Sequence, residues 1–223
     1  MAYAFIQIAT GTNTGNTTVA ATLGTAATAN NLLVAGIATD ANSTATISGW
    51  NALTSANASG GSARSLRLFW KTAAGGETTV TSNTMNANKV MFVAEYAASM
   101  TQNPLDVENS QTTASGTTHA TPTVTAGGAS GGLTIWATMT RDASTWSNGQ
   151  YNSSTTGVTN EGGTTVGTAC SIRLWDKQSN TNGSEVGQAT SSGTVVGAAA
   201  IAAFKLPPAF NGRGFFPMMG SGS

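Results

Sequence analysis

The chain repeats itself, and the repeat limits its fold more than any other feature of the sequence. Shifted by 101 positions without a gap, residues 15–40 lie over residues 116–141. Gly15, Thr17, Thr22, Leu32 and Thr39 then meet Gly116, Thr118, Thr123, Leu133 and Thr140, while Leu23 meets Val124 and Val34 meets Ile135. After a loop of different length the shift becomes 106, and Ser65-Leu66-Arg67-Leu68 meets Ser171-Ile172-Arg173-Leu174, with Lys71 over Lys177. Both halves continue into an apolar segment, 89–96 and 194–204, and each stops near proline, at Pro104 and Pro207. A chain that repeats one order of elements builds one unit twice.

The unit is made of strands. Alternating or β-branched segments at 5–10, 17–23, 32–39, 65–71, 77–82, 89–96, 121–125, 133–140, 170–177 and 194–204 are separated by Gly, Asn and Ser clusters. Short strands at this cadence predict an all-β antiparallel sandwich or barrel. Alanine-rich 26–29 has no cap pattern and no 3.6-residue period to make it a helix. Two architectures fit: one sandwich of two Greek-key halves, in the manner of a jelly roll, or two small immunoglobulin-like sandwiches in tandem. Nothing longer than Asn103-Pro104 separates the halves, which favours a single jelly-roll-like body over residues 1–206, with pseudo-repeats at about 1–104 and 105–206.

Period two assigns faces to the matched strands. Leu66, Leu68 and Trp70 share one face with their counterparts Ile172, Leu174 and Asp176, and this face is expected in the core. Arg67, Phe69 and Lys71, matched by Arg173, Trp175 and Lys177, form the other. An aromatic between two cations suits a half-wet surface that covers a neighbour or carries a cation–π contact, so Arg67, Phe69, Arg173 and Trp175 are candidate partner contacts. An ordinary amphipathic strand exterior is the plainer reading.

Charge restricts the partners. Only 8% of the 223 residues are charged, nine basic and nine acidic, with no run of either sign. This predicts neither nucleic-acid nor membrane-surface binding, both of which need a basic patch. Net zero charge leaves little repulsion between copies, which permits self-association. Cys170 is the single cysteine, so no disulfide forms within the chain; it sits in an apolar alternation and reads as a core residue. Residues 1–5 have no basic and apolar pattern of a signal peptide, and apolar 195–204 is half of what a membrane span needs, so a soluble, non-exported product is expected.

Residues 207–223 depart from the pattern. Phe210, Arg213, Phe215, Phe216, Met218 and Met219 follow Pro207-Pro208 without periodicity. Apolar residues that cannot form a core of their own need a surface, so this extended tail is expected to dock either on a partner subunit or on its own sandwich.

The chemistry is sparse. Gly128-Ala129-Ser130-Gly131-Gly132 matches G-x-S-x-G, but it precedes a strand where a hydrolase needs strand, turn and helix, so it reads as a turn. His119 is the only histidine and reads as a hydrogen-bonded surface residue. Asp106 and Glu108 beside Asn109, and Asp40 with Asn42, are the densest oxygen clusters; strand-ending loops explain them more simply than a glycosidase pair or a calcium site. Trp50 and Trp146 occupy corresponding loops and, with Tyr151, could form a sugar-stacking platform or close the ends of the core. No catalytic residue, cofactor or metal is expected.

Several segments, taken in order, resemble one family. Asn31-Leu32-Leu33-Val34-Ala35-Gly36, then Leu68-Phe69-Trp70-Lys71, Thr78-Thr79-Val80-Thr81, Glu95-Tyr96 and Pro104-Leu105-Asp106 are similar to segments of β-sandwich virion proteins of tailed bacteriophages. The resemblance covers residues 1–206. It implies a non-enzymatic protein made in the host cytoplasm and carried in the virion. That protein would be a capsid decoration or cement subunit, homo-oligomeric, with a trimer as one option, bound to the major capsid protein or other virion proteins. A carbohydrate-binding module of a tail adhesion device, using Trp50, Trp146 and Tyr151, is the alternative. It carries over no catalytic residues.

Overall fold

The computed structural model describes residues 3–58, 60–98, 103–127, 131–180 and 183–206. The tail residues singled out above, and the centre of the G-x-S-x-G match, lie outside the described residues.

The chain is all-β and antiparallel. Its first half forms β1 (Ala4–Asn13), β2 (Asn16–Thr17), β3 (Ala20–Thr22), β4 (Leu32–Thr39), β5 (Asn51–Ala58), β6 (Arg64–Thr72), β7 (Thr79–Thr81), β8 (Met85–Asn86) and β9 (Lys89–Ala97). The second forms β10 (Leu105–Ala120), β11 (Val124–Ala126), β12 (Leu133–Thr140), β13 (Trp146–Tyr151), β14 (Val158–Val166), β15 (Cys170–Gln178), β16 (Gly183–Glu185) and β17 (Gly187–Phe204). A single turn of 3₁₀ helix, Gly60–Ser62, is the sole helical element among the described residues.

Each half builds its own large sheet, in the same strand order. The first sheet runs β1-β9-β4-β6-β5 and the second β10-β17-β12-β15-β14, with β13 also pairing β17. Irregularities recur at matching places. A one-residue bulge falls at Ile6 in β1 and at Asp106 in β10, and another in β5 after Ala52 and in β14 after Asn160. Pairing within the first half is nested, β1 with β9, β2 with β8, β3 with β7 and β4 with β6, as in a hairpin that has been rolled up.

The two sheets face each other, with β1 lying against β14 and β5 against β10. Alternation in the central strands supplies the core between them. Leu66, Leu68, Trp70 and Phe92 of the first sheet interdigitate with Ile135, Ile172, Leu174 and Phe204 of the second, and Trp70 meets Phe204 edge to face at 6.4 Å. Each such side chain contributes ~1.5–3 kcal/mol on burial. The core-facing positions of the S-[LI]-R-L strands are thus those expected from their alternation.

Their opposite face differs from expectation. Phe69 and Trp175 are not on a half-wet surface: each is buried under a second apolar layer. In the first half, Val19, Leu23, Ile47 and Val80 from the short ladders and loops cover Phe69. In the second, Trp136, Trp146, Tyr151 and Ala189 surround Trp175. Two glycines let this layer close on flat indole rings. A Cβ on Gly149 would run into Trp175, and one on Gly187 into Trp136. The charged neighbours are only partly covered, and Arg67 lies 5.7 Å from the centre of the Phe69 ring, a cation–π contact.

Candidate functional site

Most groups with chemical potential are occupied inside the body. His119 is fully buried in β10, not on the surface, because β13 and its loop fold over it. Its Nδ1 lies 2.6 Å from Thr113 Oγ1 and its Nε2 3.1 Å from Ser191 Oγ. Ser191 directs its proton to the Gly193 carbonyl at 2.8 Å, and both ring nitrogens of His119 are engaged within the body. Burial pushes its pKa below the usual histidine value, with Asp142 opposing. Cys170 is fully buried in the core, and burial holds its thiol far above its ordinary pKa.

The carboxylates that cluster in the sequence are used as separate ties. Asp106 accepts from the Gly127 N–H at 2.8 Å, Glu108 from the Thr54 hydroxyl at 2.7 Å, and Asp40 from both Asn88 nitrogens. Among the described residues no group of three or more His, Cys, Asp and Glu is arranged to hold a metal. The acids that do converge, Glu161 and Asp176, are fifteen positions apart and on neighbouring strands. Asp176 is fully buried beside Glu161, Tyr96, Gln178 and Thr159, none of them at good hydrogen-bond geometry. Burial first, then the Asp176 charge, lifts Glu161 to about 8. Glu161 therefore keeps its proton at neutral pH.

The loop aromatics do not form an exposed platform. Trp50 is half-buried against the outer layer of the first half, while Trp146 and Tyr151 are buried. Trp146 donates from its indole nitrogen to Ser171 Oγ at 3.2 Å and meets His119 edge to face.

The clearest difference between the halves lies at the paired arginines. In the first half, Arg67 is satisfied by the chain itself: Nε donates to the Leu53 carbonyl at 3.1 Å and Nη1 to the Ala45 carbonyl at 3.2 Å. Arg173 takes the same place in β15, opposite Gly163 as Arg67 is opposite Ser55. It has no hydrogen-bond or carboxylate partner among the described residues, and its Nε is shut off from solvent. It lines a groove of about 310 Å³ with Ser144, Thr145, Trp146, Gly163, Thr164, Thr165 and Ile172. Sequence reasoning singled out Arg173 and Trp146 separately; nothing in the spacing shows that a loop lifts away from one arginine and closes on the other.

No protein-family model, curated protein or solved structure matches the chain.

Proposed function

We propose that the chain is a structural protein of a bacteriophage virion, a capsid decoration or cement subunit that stabilises the shell through protein–protein contacts. The observation that carries this reading is where the residues of the sequence resemblance sit. Asn31 and Glu95, the polar members of two separate motifs, meet in the fold: Asn31 Nδ2 donates to Glu95 Oε1 at 2.6 Å, and the Asn31 side-chain oxygen accepts from the Ala98 N–H at 3.2 Å. Glu95 also accepts from the Thr28 N–H at 2.8 Å and from Gln7 Nε2 at 2.6 Å. One buried carboxylate thus ties the ends of β1, β4 and β9. The ordered motifs are a structural framework, and the kinship they suggest is one of architecture.

The surface suits assembly with little electrostatic selectivity. The chain carries no net charge, and Ser, Thr, Asn and Gly dominate its turns, so copies meet without repulsion. In this reading the chain works as a homo-oligomer on the major capsid protein, after synthesis in the host cytoplasm. Mass spectrometry of purified virions, and melting of capsids with and without the added full chain, test it. The expected outcome is a stoichiometric virion component that raises the capsid melting temperature; absence from virions, or an unmoved melting temperature, overturns the reading.

A further inference from the structure

We infer that the groove beside Arg173 is a binding site for a sugar acid: the guanidinium takes the carboxylate, and the threonine hydroxyls take the ring hydroxyls. This goes beyond the assembly reading and does not depend on it.

The argument rests on the molecule's own internal control. The loops before β5 and β13 are anchored alike. Thr46 N–H donates to Asn83 Oδ1 and Asn83 N–H to the Thr46 carbonyl; Thr145 N–H donates to Ser192 Oγ and Ser192 N–H to the Thr145 carbonyl. Ala45 therefore corresponds to Ser144, and Ile47 to Trp146. In the first half the Ala45 carbonyl closes on its arginine. In the second, Ser144 stands across about 310 Å³ of space from its own. The larger Trp146 side chain, held to Ser171 and packed on His119, keeps this loop off the sheet.

Arg173 borders the groove with no hydrogen-bond acceptor among the described residues, and only its Nε is enclosed, so the terminal Nη groups are the ones a ligand can reach. Arginine offers parallel N–H donors that fit a carboxylate. The remaining lining is hydroxylic. Ser144 donates its own proton to Asp142 at 2.5 Å and so presents lone pairs, whereas the Thr145, Thr164 and Thr165 hydroxyls make no hydrogen bond among the described residues. A cation, several hydroxyls and one indole flank in a space near the lower end of ligand pockets fit a single acidic sugar ring.

The test is an NMR titration of the full ¹⁵N-labelled chain with D-glucuronate, D-glucose and acetate, following the Arg173 Nε–H and Trp146 indole N–H resonances. Saturable shifts with glucuronate are expected, with glucose and acetate each weaker by about tenfold or more, since a charge-assisted fork and the ring hydroxyls contribute separately. Arg173→Gln should weaken glucuronate by about tenfold or more. Arg173→Lys, which keeps charge without the fork, should fall between. Equal response to glucuronate and glucose, equal response to glucuronate and acetate, no saturable shift, or unchanged affinity in a folded Arg173→Gln chain each overturns the assignment. The three-ligand comparison on the native chain decides it even where a substitution unfolds the protein.

Discussion

Alkali should loosen this protein before it loosens most others, and Glu161→Gln should cure it. The folded chain holds the Glu161 proton up to about 8, whereas an unfolded carboxyl releases it near the ordinary value of 4.5. Between those limits the native state binds more protons than the unfolded state, so stability is full at the acid end and falls as pH rises. At ~1.4 kcal/mol per pH unit the span corresponds to at most roughly 5 kcal/mol. Glu161 is only half buried, and water screens it, which leaves about 2 kcal/mol. Unfolding free energies from denaturant melts between pH 6.5, above the range in which His119 titrates in the unfolded chain, and pH 9 should therefore decline by up to that amount, with unchanged slope. In Glu161→Gln no proton is lost and the decline should flatten. A stability that holds or rises across this range, or a variant that declines as steeply as the parent, would refute the raised Glu161 titration.

Three further outcomes follow from the packing. Acid should act oppositely through His119: burial lowers its pKa, so the unfolded chain gains a proton first as pH falls below the ordinary value of 6.5, and stability drops there; a His119→Gln chain whose acid limb is unchanged would count against this. Gly149→Ala should cost about 1–3 kcal/mol by driving a methyl group into the Trp175 ring, while Gly116→Ala, whose methyl would meet nothing, should stay within about 0.5 kcal/mol in the same chemical melts. Asn31→Ala should cost about 1–3 kcal/mol, read as a lower denaturant midpoint, because it strips one donor from buried Glu95 and the acceptor from the Ala98 N–H.

What the sequence made legible was whatever packs on two sides. The strands at 32–39 and 133–140 match β4 and β12 end to end, because every residue there is buried and the β-branched and apolar run is unbroken. Of the sheet edges only β1, read at 5–10, was legible. β5 reads Asn-Ala-Leu-Thr-Ser-Ala-Asn-Ala and β14 carries Asn160, Gly162 and Gly163, compositions that suit loops; they become strands because β6 and β15 offer a free edge to pair with. The sixteen residues of β10 were missed for the same reason, and with them the burial of His119. Phe69 and Trp175 were assigned the right side of their strands but the wrong surroundings. Period two tells which residues share a face, yet not whether a distant short ladder will cover it. The groove at Arg173 was beyond sequence altogether, since it depends on the height of a loop.

The facing of the sheets, β1 on β14 and β5 on β10, has a further meaning. β14 is the counterpart of β5, and β10 the counterpart of β1, so the halves meet as two identical subunits meet across a twofold axis. A homodimer built this way must carry every substitution twice. A single chain need not. Buried Lys89 in one half stands where Gly197 stands in the other, each opposite the threonine that ends the central strand. Arg64, whose guanidinium reaches the Gly197 and Thr113 carbonyls across the interface, stands where the other half keeps Cys170. Tethering the pair lets matching positions of the two copies diverge one at a time, an asymmetry that free subunits cannot inherit.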